Sequence, residues 1–313
     1  MPDSSILTGV FPVIPTPFHD NGEIDAASLK NVIETMIAAG VDGVVFPGLA
    51  SEYADLTREE RLSTTAMIGR VLNGRVPFVV GAGAPSPEQS IEYSVAGAKA
   101  GAVCAMVMAP LELAGDEAAM VKFFQTLVSR AEIPIMLQNA PPPMGAGLPA
   151  DALNRILKQV PGIRYVKEET MPCGQRMEKI LRHSPDTLKG VFGGAGGRYI
   201  LDELNRGALG TVPASELCEM HVMLIKAYKG GDVARARELF VKMLPILSMQ
   251  AVYRCSLTKE ILRLRGIIKS SFVRAAGPVM DAGDIAELRL FWDEVEEHMG
   301  PLESVRDDVE SMQ

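Results

Sequence analysis

Short apolar runs recur along the first 215 residues, and most of them are closed by glycine or proline. They are rich in Val, Ile, Met and Phe, which is typical of strands that are buried on both faces of a sheet. Eight such runs follow one another: GVFPVIP, GVDGVVFPG, VPFVVGAG, AVCAMVMAP, IPIMLQNAP, IRYVKEE, LKGVFGG and ALGTVPA.

Segments with helical spacing of apolar residues separate these runs. Thr57 and Glu60 form a capping box at the start of one helix, and Ser86 followed by Pro87 marks the start of the next. Strands that alternate with helices in this way predict an α/β protein and, with eight strands, a (β/α)8 TIM barrel over residues 1–215. A doubly wound open sheet is the alternative, but no GxGxxG follows the first strand.

The last third of the chain contains helical patterns without further strand signals. MHVMLIKAYKGG, DVARARELFVKMLPILS, SLTKEILRLRG and DIAELRLFWDEVEEHM carry these patterns. We therefore predict a helical appendage over residues 216–313 that packs on the barrel and is not joined to it by a linker.

Composition excludes several classes of partner. The net charge is -8 and no block of Lys or Arg occurs, so we expect no binding to nucleic acid. Charge, proline or glycine interrupts every apolar run, so we expect no membrane span. The four cysteines lack CxxC spacing, which argues against a structural metal or a disulfide framework. No signal-peptide pattern opens the sequence, so a cytoplasmic location is the default expectation.

The stretch RYVKEET places a lysine inside the sixth apolar run. Because strand side chains alternate between faces, Tyr165, Lys167 and Glu169 are predicted to share the barrel interior, while Glu168 points the other way. Burial disfavours the ammonium form of a lysine, and a neutral amine is the form that attacks a carbonyl to give a Schiff base. A buried Lys–Glu ion pair without chemistry is the alternative, although such pairs are costly to bury.

The chain resembles the dihydrodipicolinate synthase / N-acetylneuraminate lyase family of class I aldolase-type barrels. The resemblance rests on GVFPVIPTPFHDNGEID, PGLASEYADLTREER, IPIMLQNAP and VKEET, and it extends into the helical C-terminus. It implies that Lys167 forms an imine with pyruvate or a longer 2-oxo acid, a small-molecule substrate, without a cofactor. It also implies a homo-oligomer, either a dimer or a tetramer.

Several positions depart from the family pattern. Gln138 stands where the family has a tyrosine that shuttles protons, and an amide cannot act as a general acid or base. The family's paired hydroxyls are missing at Leu49 and Ala50, so we expect the N–H groups of Ala50 and Ser51 and the Ser51 hydroxyl to hold the substrate carboxylate. A plain turn role is the alternative for Ser51. Pro143 replaces the arginine of the synthases, which argues against condensation with aspartate semialdehyde.

The run GGAGGRYI after the seventh strand has two interpretations. Within the family resemblance, Gly194 best matches a glycine that makes room for the substrate. A nest of backbone N–H groups that binds phosphate is the alternative. Val212, in the eighth run, is a further candidate for contact with the substrate.

An extra acid beside the lysine favours dehydration of a 2-keto-3-deoxy sugar acid. Glu169 can remove the proton next to the imine carbon and then protonate the departing hydroxyl. A family branch with Q-[ND]-A-P and K-x-E-T, the 2-keto-3-deoxyarabonate dehydratases, resembles this chain at Gln138 and Lys167. The alternatives are pyruvate-dependent aldol cleavage, synthase-like condensation, deamination of a cyclic imino acid, and a 2-oxo-acid-binding barrel without activity.

Overall fold

Eight parallel strands form the centre of this computed structural model, which describes residues 6–302. Each strand falls within one of the eight apolar runs. The strands are β1 Gly9–Val10, β2 Val44–Phe46, β3 Phe78–Gly81, β4 Ala102–Met108, β5 Ile135–Asn139, β6 Ile163–Glu168, β7 Gly190–Gly193 and β8 Gly210–Thr211. Their order is β1-β8-β7-β6-β5-β4-β3-β2, which confirms the predicted (β/α)8 barrel.

Backbone contacts between the first two strand segments bring the ends of the sheet together. Val13 forms a parallel bridge with Val45 just beyond β1. The Val45 N–H donates to the Pro12 carbonyl oxygen at 3.0 Å, and the Ile14 N–H donates to the Val45 carbonyl oxygen at 2.9 Å. The sheet therefore closes into a nearly complete barrel.

A helix follows each strand, and the predicted helix starts at Thr57 and Ser86 are confirmed. The Thr57 hydroxyl accepts the Glu60 N–H, and the Ser86 hydroxyl accepts the Gln89 N–H. The helices are α1 Ala26–Ala38, α2 Arg58–Leu72, α3 Pro87–Lys99, α4 Glu117–Val128, α5 Ala150–Gln159, α6 Cys173–His183, α7 Ile200–Asn205, α8 Cys218–Lys229, α9 Val233–Tyr253, α10 Cys255–Leu264, α11 Ala282–Asp293 and α12 Glu296–Met299.

Side chains from alternate strand positions fill the barrel interior. Phe11, Met106, Met136 and Phe192 belong to this inner cluster. Tyr165 belongs to it as well, whereas its neighbour Val166 packs in the layer between strands and helices. The predicted alternation along the sixth strand is therefore confirmed, and it determines which side chains of that strand reach the site.

The helices after β8 pack together on one side of the barrel. Their apolar residues form one cluster with Val10 of β1 and with Ile200 and Leu204 of α7, and Trp292 of α11 is buried in it. The C-terminal helices are thus confirmed, while the division at residues 215 and 216 stays a prediction whose outer limits lie beyond the described residues. Between residues 6 and 302, no helix combines the length and apolar character needed to cross a bilayer.

Candidate active site

A cavity of about 730 Å³ lies at the carboxyl-terminal ends of the strands, where TIM-barrel active sites are found. Lys167 lines this cavity, although only 4% of the residue is exposed. Its amine is therefore shielded from bulk water and still accessible to a ligand in the cavity. The wall also includes residues that follow four other strands and one residue between α9 and α10: Ala50, Pro141, Ala195, Val212 and Arg254.

Three sequence-predicted residues converge on one another at this point. Lys167 Nζ lies 3.1 Å from Glu169 Oε1. Gln138 is the β5 partner of Lys167 across the strand ladder, and its Nε2 donates to Glu169 Oε2 at 2.7 Å. The Ala195 N–H donates to Glu169 Oε1 at 3.1 Å. The lysine and two further donors therefore engage both oxygens of a single carboxylate.

These contacts decide the ionisation of the carboxylate. Burial by itself raises the pKa of Glu169, because an apolar environment disfavours its charge. The positive charge of Lys167 and the hydrogen bonds from Gln138 and Ala195 outweigh burial, so the pKa lies below its ordinary value. Glu169 is therefore held as a carboxylate, the form that can accept a proton.

The loop after β7 shapes the cavity around Glu169. Ala195, Gly196 and Gly197 all adopt left-handed backbone conformations, with φ of 51°, 69° and 82°, and this turns the Ala195 N–H toward the carboxylate. A Cβ on Gly194 would lie 2.5 Å from Glu169 Oε1. The glycine predicted to make room for the substrate thus makes room for the side chain of Glu169.

The predicted carboxylate-binding residues after β2 are placed differently from one another. Ala50 lines the cavity. Ser51 is fully buried; its hydroxyl donates to the Ile14 carbonyl oxygen at 2.5 Å and accepts the Gly48 N–H at 2.9 Å. The Ser51 N–H donates to the Gly48 carbonyl oxygen at 2.9 Å. These local bonds give Ser51 a turn-stabilising role, whereas Ala50 and Val212, which follows β8, both line the cavity.

Glu168 points away from the cavity, as its strand position predicts. Its side chain is fully buried and accepts hydrogen bonds from Asn139 Nδ2 at 2.8 Å and from the Thr170 N–H at 2.7 Å. Arg176 Nε lies 3.4 Å from it. Burial raises the pKa of Glu168 in spite of these partners. The contacts of Glu168 with Asn139 and Arg176 therefore fix the end of β6, and with it the position of Glu169, the next residue.

A buried acid behind β7 escaped the sequence reasoning. Glu203 of α7 is fully buried below Gly193, and within residues 6–302 neither of its carboxyl oxygens has a hydrogen-bond partner. Burial, with the neighbouring charge of Glu169, raises its pKa to about 8. In the sequence, Glu203 lies in the polar segment DELNRG, which is typical of the exposed face of a helix. No sequence pattern therefore indicated that this acid is buried.

A second buried lysine was also missed. Lys259 of α10 is ion-paired with Glu52, both side chains are fully buried, and Lys259 Nζ donates to the Phe272 carbonyl oxygen at 2.9 Å. Burial lowers the pKa of Lys259. Glu52 lines the cavity, but Lys259 does not. The Lys259–Glu52 pair therefore fits the description of a buried ion pair without chemistry, which was the alternative interpretation of Lys167.

No group of three or more His, Cys, Asp and Glu side chains in the described part of the chain could hold a metal ion. Lys167 and Glu169 supply an amine and a carboxylate at the cavity wall, with hydrogen-bond donors around them. Together they can form a covalent adduct with a carbonyl compound and move one proton beside it.

The fold and the site define a TIM-barrel enzyme whose functional groups meet at the strand ends. The sequence matches the dihydrodipicolinate synthetase family over residues 6–284. The chain therefore belongs to that family, whose members are lyases.

Individual relatives have more than one activity. The chain is 30% identical to L-2-keto-3-deoxyarabonate dehydratase of Azospirillum brasilense, over 90% of this chain and 92% of the relative. It is 28% identical to 4-hydroxy-tetrahydrodipicolinate synthase of Maridesulfovibrio salexigens, over 88% and 94%. Among solved structures, a prophage protein of the dihydrodipicolinic acid synthase family from Escherichia coli K12, in complex with pyruvate, is similar with a TM-score of 0.83. It is 25% identical and covers 92% of this chain and 98% of its own.

Proposed function

We propose that this protein is a Schiff-base-forming lyase that dehydrates a 2-keto-3-deoxy sugar acid. The observation that carries the proposal is the Lys167–Glu169 pair, 3.1 Å apart on the wall of the cavity. The similar protein from Azospirillum brasilense is an L-2-keto-3-deoxyarabonate dehydratase, and its substrate belongs to this class, which supports the same reaction here.

The first step is imine formation. Lys167 transfers an ammonium proton to a neighbouring acceptor, for which Glu169 is within hydrogen-bond reach. The amine nitrogen then bonds to C2 of the substrate, and the carbonyl oxygen leaves as water with one proton from that nitrogen and the one held by Glu169, which returns to its carboxylate form. The resulting iminium keeps a positive charge beside the Glu169 carboxylate and acidifies the hydrogens on C3.

The second step removes the elements of water. Glu169 takes a proton from C3, and the electron pair of that C–H bond neutralises the iminium to an enamine. The enamine then expels the hydroxyl on C4, which accepts the proton from Glu169 and leaves as water. For a 2-keto-3-deoxypentonate, the conjugated imine then loses a proton from C5 and gains one at C3, and the resulting enol takes up a proton at C4 as its hydroxyl proton leaves, so that C5 becomes an aldehyde. Hydrolysis of the imine by one water releases the semialdehyde and restores the Lys167 amine.

Gln138 suits this chemistry although it cannot exchange protons itself. Its amide holds Glu169 Oε2 at 2.7 Å, so the carboxylate is oriented by a group that stays neutral throughout. A single carboxylate then serves as base and as acid, and the tyrosine of the family pattern is not required. Aldol cleavage, the main alternative, needs a base that takes the proton of the C4 hydroxyl so that the C3–C4 bond breaks, whereas dehydration needs an acid at the same hydroxyl.

The test combines adduct trapping with product analysis. Borohydride in the presence of a 2-keto-3-deoxypentonate is expected to add mass to the peptide that contains Lys167. The peptide with Lys259, which is buried but lies off the cavity, serves as the internal control. A semialdehyde formed without pyruvate supports dehydration, whereas free pyruvate indicates aldol cleavage. The proposal is falsified if saturating 2-oxo acids leave Lys167 unmodified.

The assembly and location expected from the sequence stay predictions. We expect a homodimer or homotetramer in the cytoplasm, with the substrate as the only small-molecule partner. Light scattering on the purified chain checks the assembly state, and an aggregation number of one at working concentration contradicts it.

A further inference from the structure

Two guanidinium groups on the wall of the same cavity lack an ionic partner among residues 6–302. Arg198, in the loop between β7 and α7, and Arg254, between α9 and α10, both line the cavity. Within residues 6–302, neither is ion-paired with a carboxylate. Arg274, a third cavity arginine, is paired with Glu60 at 2.6 Å. Of the three cavity arginines, Arg198 and Arg254 therefore carry charges that no carboxylate among residues 6–302 balances.

The hydrogen-bond partners of Arg198 are neutral. Its Nη1 donates to Gln250 Oε1 at 2.7 Å and to the Leu247 carbonyl oxygen at 3.3 Å. Glu216 is an acid within electrostatic range of Arg198, but burial raises the pKa of Glu216. A partly buried guanidinium held by neutral acceptors keeps its full charge and retains unused donors in a forked geometry that matches carboxylate or phosphate.

Helix α9 ties the two arginines together. Gln250 holds Arg198 through its side chain, and its carbonyl oxygen accepts the Arg254 N–H at 2.9 Å. Arg254 adopts a left-handed conformation with φ of 49°. Its guanidinium extends toward Met144 Sδ, 3.9 Å away, in the loop after β5. The two arginines therefore come from different segments of the cavity wall, and both are hydrogen-bonded to Gln250 of α9.

The position of Glu169 indicates which end of a substrate faces this side. A substrate joined to Lys167 through C2 has its C1 carboxylate and its C3 chain on opposite sides of that atom. Glu169, the base for C3, accepts the Ala195 N–H, so the C3 side lies toward the loop that carries Arg198. The opposite direction leads toward Ala50 after β2, which lies on the far side of the barrel from β6 in the strand order.

We propose that Arg198, assisted by Arg254, binds a second anionic group at the end of the substrate that is distal to the keto carbon. Within the proposed class, the preferred substrate is then a 2-keto-3-deoxy acid that ends in a carboxylate or a phosphate. This inference rests on the proposed imine at Lys167 for the orientation of the ligand. A cavity of about 730 Å³ lies within the usual range for small-molecule sites.

The experiment uses matched 2-oxo acids that differ only at the far end. 2-Oxoadipate ends in a carboxylate, 2-oxohexanoate in a methyl group, and 2-oxo-5-phosphonopentanoate in a phosphonate. The readout is the concentration that gives half-maximal borohydride trapping at Lys167. We expect at least one of the two dianions to reach this point at a concentration about 10-fold or more below that of 2-oxohexanoate, since hydrogen bonds between charged groups contribute more than neutral ones. The better of the two identifies the terminal group.

Variants of Arg198 separate recognition of the anion from the chemistry. Arg198→Gln is expected to reduce the preference for dianions to about 2-fold or less and to leave trapping by 2-oxohexanoate within about 2-fold of wild type. Arg198→Lys, which keeps the charge but not the forked donors, should retain part of the preference. Arg130→Gln is the matched control, because Arg130 is exposed and precedes β5 at the opposite end of the barrel.

The outcomes distinguish this inference from the proposed function. Equal trapping of all three acids by the wild-type protein overturns the anion site and leaves the Schiff-base proposal intact. If no acid modifies Lys167, the Schiff-base proposal fails, and calorimetric titration with adipate decides the anion site. Adipate binding that is weakened about 10-fold or more by Arg198→Gln retains it, and equal or absent binding overturns it. Thermal melting of each variant establishes that the fold is intact.

Discussion

Glu169 Oε1, directly after the end of β6, lies 3.1 Å from Nζ of Lys167 within that strand, and both residues line the cavity. A second buried Lys–Glu pair, formed by Lys259 and Glu52, occurs in the same chain with both side chains fully buried. Lys259 does not line the cavity. Both lysines are buried, but only Lys167 also lines the cavity, so Lys167 is the one of the two that is suited to form an adduct with a ligand.

Replacing the carboxylate beside the lysine tests its role as acid and base. For Glu169→Gln we expect turnover to fall by about 100-fold or more, the scale typical of losing a general acid–base group. Borohydride trapping at Lys167 should survive, because the amine remains. Steady-state assays and peptide mass spectrometry measure the two effects. Unchanged turnover would remove Glu169 from the mechanism, and loss of trapping would show that no other group takes the ammonium proton of Lys167 during imine formation.

Adding one methyl group to the β7 loop tests the placement of that carboxylate. A Cβ on Gly194 would lie 2.5 Å from Glu169 Oε1, too close for an ordinary contact, so one of the two must move to admit it. Gly194→Ala should therefore displace Glu169 and reduce turnover by about 10-fold or more, since a shift of about 1 Å can cost 100-fold.

The matched control for this change is Gly83→Ala at the end of β3. A Cβ there meets Met108 N at an ordinary 3.5 Å, so activity should stay within about 2-fold of wild type. Circular dichroism melting checks that both variants fold. Full activity in Gly194→Ala would show that the carboxylate tolerates displacement.

The buried acid of α7 predicts a pH dependence of stability. The pKa of Glu203 is raised from 4.5 to about 8 by burial, so between these values the folded state retains a proton that the unfolded state has released. The free energy of unfolding therefore falls as pH rises through this window, with a slope that approaches ~1.4 kcal/mol per pH unit from this group.

Glu203→Gln should remove that contribution, so the variant gains stability over wild type as pH rises from about 4.5 to about 8. Urea denaturation of both proteins at several pH values measures the difference, in which the contributions of other groups largely cancel. A stability difference that does not change with pH would contradict the raised pKa.

The second lysine predicts a loss of stability without a role in adduct formation. Lys259→Met leaves Glu52 buried without its cation, which typically costs roughly 3–5 kcal/mol. The free energy of unfolding from denaturant titration measures this, and the double variant Lys259→Met/Glu52→Leu should recover part of it. In folded Lys259→Met protein, trapping at Lys167 should persist. Adduct formation that depends on Lys259 would assign it to the site.

Strand periodicity in the sequence was sufficient to predict the barrel and the face of β6. Each apolar run became one strand, and Tyr165 and Val166 face opposite sides of the sheet, because the alternation of side chains is a local property of an extended chain. For the same reason Lys167 and Glu169 could be placed together. Gln138 was identified by its motif, and the strand ladder then brought its amide within 2.7 Å of Glu169.

Tertiary structure decided what no local pattern encodes. Glu169 approaches Gly194 from a neighbouring strand end, and its side chain occupies the space beside that glycine. The sequence could not show whether this space holds a substrate or a side chain. The hydroxyl of Ser51 proved to be bonded to backbone groups. The burial of Glu203 and the positions of Arg198 and Arg254 on the cavity wall arise from the packing of α7 and α9 around the barrel. The sequence thus determined the strands and the reactive pair, because periodicity and adjacency are local. The partners of each polar group were decided by contacts between segments far apart in the chain.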